Sequence, residues 1–386
     1  MATIADVAEQ AGVSTATVSR VLNNSNQVTN QTKEKVKQAI KKLNYKFKQV
    51  DCNQKNEVTI KDVAAEAEVS EATVSRVINN SARVSYNTKK KVKSAIDKLD
   101  YSPNANARHL RRNETKLIGL VIPDIWNPFF GGIVKGVEDL ARGNDYNVVL
   151  FNTAGILARE RKCINILKDR RVDGMIYMGK TYGQQRVELL ANCDFPIVVI
   201  SREESEIDYP TVNINNYQAA YDLTTHLIEE GYQKIAFIGG PKEDTTAGLK
   251  REKGYRQALA DYEIEVDPDL MARGDFTLKS GYQGVEIILD KQQIPDAVFA
   301  ANDEMAVGAM RKIKEEGYSI PGDIAVAGFD NISLVDYVEP SLTTVVQPVY
   351  ELGKKGIATL LDLIRGEELA DNEIVLDYEI VKREST

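Results

Sequence analysis

The sequence predicts a multidomain chain: two small all-α helix-turn-helix heads ahead of an α/β body with two lobes. Three observations carry this. A basic, helix-patterned unit occurs twice in the first 101 residues. From Lys116 onward, short apolar runs alternate with helix-length stretches. The charge divides at the same border. Residues 1–113 hold 20 Lys+Arg against 11 Asp+Glu, a net of +9; the other 273 hold 29 against 46, a net of −17, so the whole carries −8. A basic front on an acidic body suggests a polyanion-binding head on a carrier. A length of 386 residues suits two or three domains, and 43% hydrophobic residues suffice for sizeable cores.

The heads come first. Residues 3–45 align with 59–101 at a constant shift of 56, without a gap and with 28 identities in 43 positions. Within the second copy, Ile60, Val63, Ala64 and Ala67 precede a turn, and Ser70 can cap the helix that follows. Val74, Val77 and Ile78 give that helix an apolar stripe. Thr73, Ser75, Arg76 and Asn79 lie mostly off the stripe, and all can hydrogen-bond to bases or phosphates. This reads as a helix-turn-helix with its second helix as the recognition helix. A helical hairpin with a polar outer face is the alternative, and the repetition of the stretch decides against it. Each copy continues into a third helix, 32–43 and 88–99, with a lysine-rich outer face. The first head is therefore set at 1–45, a flexible polar linker at 46–58 and the second head at 59–102. At 103–112, Pro103 suits a helix start, but so short a helix needs support.

In the body, apolar runs at 117–122, 148–151, 175–178, 197–200, 235–238, 297–301 and 324–327 read as strands. Helical stretches such as 131–142, 158–170, 217–230 and 304–316 separate most of them. Alternation of this kind predicts parallel sheets with ligands at the carboxyl ends of the strands.

Several classes are excluded. The N-terminus lacks the charged and apolar regions of a secretory signal, and no apolar run is long enough to span a bilayer, so a cytoplasmic protein without membrane contact is expected. Cys52, Cys163 and Cys193 are odd in number and scattered, as incidental thiols are. With only His109 and His226, and no dinucleotide fingerprint, P-loop or nucleophile elbow, no enzyme, cofactor or metal site is expected.

Front and body together resemble the LacI/GalR family of bacterial transcription regulators. The front signature is Thr59-Ile60-x-Asp62-Val63-Ala64, Val69-Ser70, Thr73-Val74-Ser75-Arg76-Val77-x-Asn79, Leu99-x-Tyr101-x-Pro103-Asn104 and Ala107-Arg108-x-Leu110. The body adds Ile118-Gly119, Asn127-Pro128-Phe129-Phe130, Val172-Asp173-Gly174, Arg251-x-x-Gly254-Tyr255, Asn302-Asp303-x-Met305-Ala306, Gly328-Phe329-Asp330-Asn331 and Gln347-Pro348. The resemblance implies a periplasmic-binding-protein-like body at 116–386 for effector binding and dimerisation. Its N-lobe would span about 116–215 and 347–375, its C-lobe about 216–346 and 376–386, joined by three crossovers. It implies homodimers whose heads read operator DNA, regulated by a small sugar or sugar phosphate, and hence a repressor of sugar-utilisation genes.

Candidate residues follow. Thr15, Ala16, Thr17, Ser19, Arg20 and Asn23 face the groove in the first head, and Glu71, Ala72, Thr73, Ser75, Arg76 and Asn79 in the second. The two arginines rank first, because arginine reads guanine bidentately. By resemblance, 103–112 is a hinge helix with Arg108 as a further DNA contact and Leu110 as an apolar minor-groove wedge; ordinary burial is the alternative for Leu110. Also by resemblance, Asn127, Phe129, Phe130, Arg202, Arg251, Asn302, Asp330 and Gln347 line the effector cleft, aromatic faces against a sugar ring and polar groups on its hydroxyls. Two departures stand out in the second head. Glu68 replaces Gly12 at a turn that calls for positive φ, and Glu71 replaces Thr15, bringing a carboxylate toward phosphate unless it accepts from cytosine. One branch, the catabolite control proteins, is similar over 302–317 and 345–350. It binds a phosphorylated phosphocarrier protein partly through an arginine; Glu316 at the matching position speaks against that partner. The runner-up function is a sugar-binding receptor whose heads have lost DNA binding and serve protein interaction.

Overall fold

The computed structural model describes residues 3–22, 28–43, 58–78, 84–101, 114–179, 183–201, 209–242 and 247–386. Two compact units meet in the chain near residue 103. The linker up to residue 57 and the hinge segment 103–112 lie outside the described residues.

The first unit holds two helix triplets of one design. These are α1 (Ile4–Ala11), α2 (Thr15–Leu22) and α3 (Asn30–Lys42), then α4 (Ile60–Glu66), α5 (Glu71–Ile78) and α6 (Tyr86–Lys98). Each opens on a capping box in which Asp6 or Asp62 accepts from the backbone N–H of Thr3 or Thr59 at 2.7 Å. Each closes on its own small core, centred on Val7, Val18 and Val36 in one and on Val63, Val74 and Val92 in the other. The third helices begin two residues earlier than periodicity placed them, because the caps are Thr29 and Ser85. The N–H of Thr32 donates to Thr29 Oγ1 at 3.4 Å and that of Thr88 to Ser85 Oγ at 3.2 Å. They end at Lys42 and Lys98, one residue short of the leucines expected to close them.

The second unit contains two six-stranded sheets. The first takes β1 (Leu117–Ile122), β2 (Asn147–Asn152), β3 (Gly174–Tyr177), β4 (Ile197–Ile200), β5 (Thr211–Ile214) and β11 (Glu373–Leu376), in the order β11-β5-β4-β3-β1-β2. The second takes β6 (Ile235–Gly239), β7 (Met271–Arg273), β8 (Ala297–Ala300), β9 (Ala325–Asp330), β10 (Thr343–Val346) and β12 (Glu379–Val381), in the equivalent order β12-β10-β9-β8-β6-β7. The pairs are parallel except β10 with β12. Helices α7 (Pro128–Gly143), α8 (Leu157–Asp169), α9 (Gln184–Ala191) and α14 (Val349–Arg365) belong with the first sheet, and α10 (Asn216–Glu229), α11 (Ala247–Asp261), α12 (Leu278–Asp290) and α13 (Asp303–Glu315) with the second. The chain passes between the sheets three times, after β5, β10 and β11.

Covered on both faces, the inner strands β1, β3, β4, β6 and β8 are apolar throughout; β4 and β8 are wholly buried. In each sheet the strand order reverses between the first strand and its neighbour, β1 with β3 and β6 with β8. Such reversals leave a crevice beyond the carboxyl ends of the strands.

Candidate functional site

The turns of the two heads share one geometry. Gly12 has φ 64° and Glu68 φ 54°. Val13 N–H donates to the Ala8 carbonyl and Val69 N–H to the Ala64 carbonyl, both at 3.0 Å, closing the first helix of each motif with a left-handed residue. The second helices are capped alike: the N–H of Thr17 donates to Ser14 Oγ and that of Thr73 to Ser70 Oγ, both at 3.2 Å. The Thr17 and Thr73 hydroxyls are themselves 2.9 Å from these cap oxygens, and both side chains are half-buried. Thr15, Ala16 and Arg20 stand exposed on α2, as do Glu71, Ala72 and Arg76 on α5. Ser75 is half-buried and has a partner. Asn23, Asn79, Arg108 and Leu110 lie outside the described residues, as does the side chain of Ser19.

The second unit brings six of the eight expected cleft residues into one cavity: Asn127, Phe129, Phe130, Arg251, Asn302 and Asp330. Its walls come from loops beyond strand carboxyl ends in both sheets. Asn127 caps α7, accepting from Phe129 N–H at 2.9 Å, and thereby fixes the Phe129–Phe130 edge-to-face pair at 5.2 Å between centroids. Asn302 caps α13 by accepting from Met305 N–H at 3.0 Å, while its Nδ2 donates to the Phe276 carbonyl at 3.1 Å. It ties the 275–277 loop to the cavity. Gln347 stands behind the wall, buried, donating to Asp330 Oδ1 at 2.7 Å. Arg202 lies outside the described residues.

Arg251, expected to answer effector hydroxyls, is also built into the fold. Buried on α11, it donates from Nε to Asn216 Oδ1 at 3.0 Å and from a terminal nitrogen to the Ala301 carbonyl at 2.6 Å. Its guanidinium lies 3.7 Å from the Phe329 ring centroid and 3.6 Å from Asp330 Oδ1. The group is first of all a strut joining α10, β8 and β9. Asp330 itself has φ 123° and Asn331 φ 57°, a backbone strain of the kind that collects at functional sites. Burial pushes the Asp330 carboxyl up to about 7 against the pull of Arg251, with Asp303 adding to the rise. Burial likewise raises Asp303 to about 6, although the Thr344 hydroxyl at 2.6 Å and the Ile332 N–H at 2.8 Å donate to it.

Sequence reasoning missed Asp124, Ser201, Asn216 and the Asp275-Phe276-Thr277 loop, all of which line the cavity. The loop follows β7, only three residues long and too short for any periodicity. Asp124 follows the clearly legible β1, so position alone could have found it. Among the described residues no cluster of His, Cys, Asp and Glu is arranged to hold a metal ion, and no helix is long and apolar enough to cross a membrane.

Comparison with known proteins fits this geometry. The family model described as "Bacterial regulatory proteins, lacI family" matches residues 3–47 and again 59–104, and "Periplasmic binding protein-like domain" matches 224–386. Catabolite control protein A of Priestia megaterium is 38% identical over 329 residues, 85% of this chain and 99% of that one. The HTH-type transcriptional regulator RegA of Clostridium acetobutylicum is 43% identical over 85% of this chain and 98% of its own. The HTH-type transcriptional repressor CytR of Escherichia coli K12 is 37% identical over 86% and 97%. Among solved structures, the lac repressor dimer bound to operator and the anti-inducer ONPF aligns with a TM-score of 0.79 at 29% identity, over 85% of this chain and 98% of that one. A CelR–cellobiose complex aligns at 0.67 with 34% identity, over 85% and 99%. The chain belongs to the lacI family of bacterial regulatory proteins and is a DNA-binding transcriptional regulator.

Proposed function

We propose that the chain is a sugar-responsive repressor with two DNA-reading heads per subunit, so that a homodimer carries four. The observation that carries the reading is the repeated helix-turn-helix, matched twice by one family model. The relatives' length supports it: 328 residues of this chain account for 99% of a RegA from Clostridium saccharobutylicum, leaving 58, about one head and linker. The reading divides the chain into heads at 1–45 and 59–102, a linker at 46–58, a hinge helix at 103–112 and a regulatory body at 116–386. Arg20 and Arg76 read guanine, and lysines of the third helices attract phosphate.

In the body, Phe129 and Phe130 present ring faces to the C–H face of a sugar, and the polar groups around Asn302 and Asp330 answer its hydroxyls. The relative crystallised with cellobiose and the lac repressor held with ONPF support a sugar-like effector. The effector acts by binding one lobe arrangement more tightly than another, which biases the hinge and so the spacing of the second heads.

Operator selection followed by footprinting tests this. The full chain should protect additional DNA that a variant lacking residues 1–57 leaves open, and the steepness of the salt dependence should fall in the variant. Identical footprints and salt slopes would make the first head a passenger.

A further inference from the structure

Asp124, Asp275 and Asp330 all line the cavity, the first from the loop after β1 in one lobe and the others from the ends of β7 and β9 in the other. Glu304, in the first turn of α13, is half-buried and close enough to Asp124 and Asp275 that both add to the rise in its pKa caused by burial. Carboxylates therefore approach the ligand space from both lobes. Among the described lining residues the one cation is Arg251, and its charge is already engaged by Asp330, the Phe329 ring and two acceptors of the fold.

Two helix N-termini at the cavity, those of α7 and α13, do not reverse this balance. Phe129 N–H and Met305 N–H are taken by the Asn127 and Asn302 caps, and the first turn of α13 carries Asp303 and Glu304. We propose that the cleft selects its effector by charge, admitting an uncharged, hydroxyl-bearing sugar ring and rejecting the phosphorylated form of the same ring. Carboxylates accept hydrogen bonds from sugar hydroxyls, and Phe129 and Phe130 need only an apolar ring face. A phosphate monoester brings about two negative charges at neutral pH into a space that Asp124 and Asp275 already line from the two lobes.

The inference rests on reading the cleft as a sugar site, and the test separates the two. Binding to the full-length protein is measured by calorimetry for D-ribose and ribose 5-phosphate, D-glucose and glucose 6-phosphate, and cellobiose and cellobiose 6′-phosphate. In each pair that binds, the uncharged member should bind more tightly by about tenfold or more, and the preference should shrink by about threefold or more in Asp124→Asn and Glu304→Gln. A phosphorylated member binding as tightly as its parent overturns the proposal and leaves the sugar reading standing. A preference unchanged in both variants overturns the assignment to these carboxylates. Binding by no sugar of either kind overturns the sugar reading and the proposal together.

Discussion

At Glu68 the second head makes a left-handed turn without a glycine. The first head makes the same turn with Gly12 at nearly the same φ. A Cβ in that region costs on the order of 1 kcal/mol, and the compensating ion pair, Glu68 with Lys91 at 3.9 Å, is largely exposed to water and worth little. Glu68→Gly should therefore stabilise the second head by about 0.5–1 kcal/mol, seen as slower amide exchange across residues 59–101 in the full chain. Unchanged or faster exchange there would mean the turn is held by something else. Arg76 makes a second prediction at this scale. Arg76→Ala should cost about 1–3 kcal/mol on a selected operator and relax the preference at one guanine, with binding to random DNA changed far less. The turn requirement at 68 was legible in the sequence, because the repeat supplied Gly12 as its control. The role of Arg251 was not. Sequence shows a cation, and only the fold reveals Asn216, Ala301 and Phe329 converging on it.

Among the elements, α7 and α14 lie unusually close. Gly132 and Gly136 on α7 meet Val349 and Tyr350 of α14, and Gly353 of α14 meets the Ile133 carbonyl. A Cβ on Gly136 would fall on the Tyr350 carbonyl oxygen, which is backbone and cannot step aside. Since α7 begins at Asn127, Phe129 and Phe130, its seating sets one wall of the cavity. Gly136→Ala should cost about 1–3 kcal/mol of body stability by overpacking and also weaken effector binding, read as a lower Tm together with a higher Kd. A lower Tm with unchanged affinity would uncouple the helix pair from the site. Element type was readable wherever burial made a strand uniformly apolar, as in β1 and β4, which begin and end where the pattern put them. It failed at β10, whose Thr343 and Thr344 are fully buried with hydroxyls satisfied by Thr386 and Asp303. It failed also at β11 and β12, edge strands only partly covered. Buried polar strands look like loops until their partners are known.

For the molecule as a whole, charge is divided by task. The front is positive and the body strongly negative, so electrostatics favours DNA near the helical front and disfavours it near the body. Some of that negative charge is held back inside the body. Burial raises Asp330 and Asp303 above the usual carboxylate range, with Arg251, Gln347, Thr344 and Glu304 around them. An acid whose folded pKa lies above its unfolded value stabilises the fold only while protonated. That contribution is complete below the unfolded carboxylate range and is lost as pH rises through the folded value, about 7 for Asp330. Asp323 and Glu384 are lowered by bonds from Ser319 and Ser341, so their opposite slope is confined to acid pH and shared by any variant. The Tm of the body should fall between about pH 5 and pH 8 by more in the native chain than in Asp330→Asn, which removes one of the two buried carboxyls. The variant keeps a side chain that tolerates positive φ and can still accept from Gln347. Parallel Tm curves for the two proteins across that window would mean that Asp330 is ionised throughout, and that Arg251 offsets its burial in full.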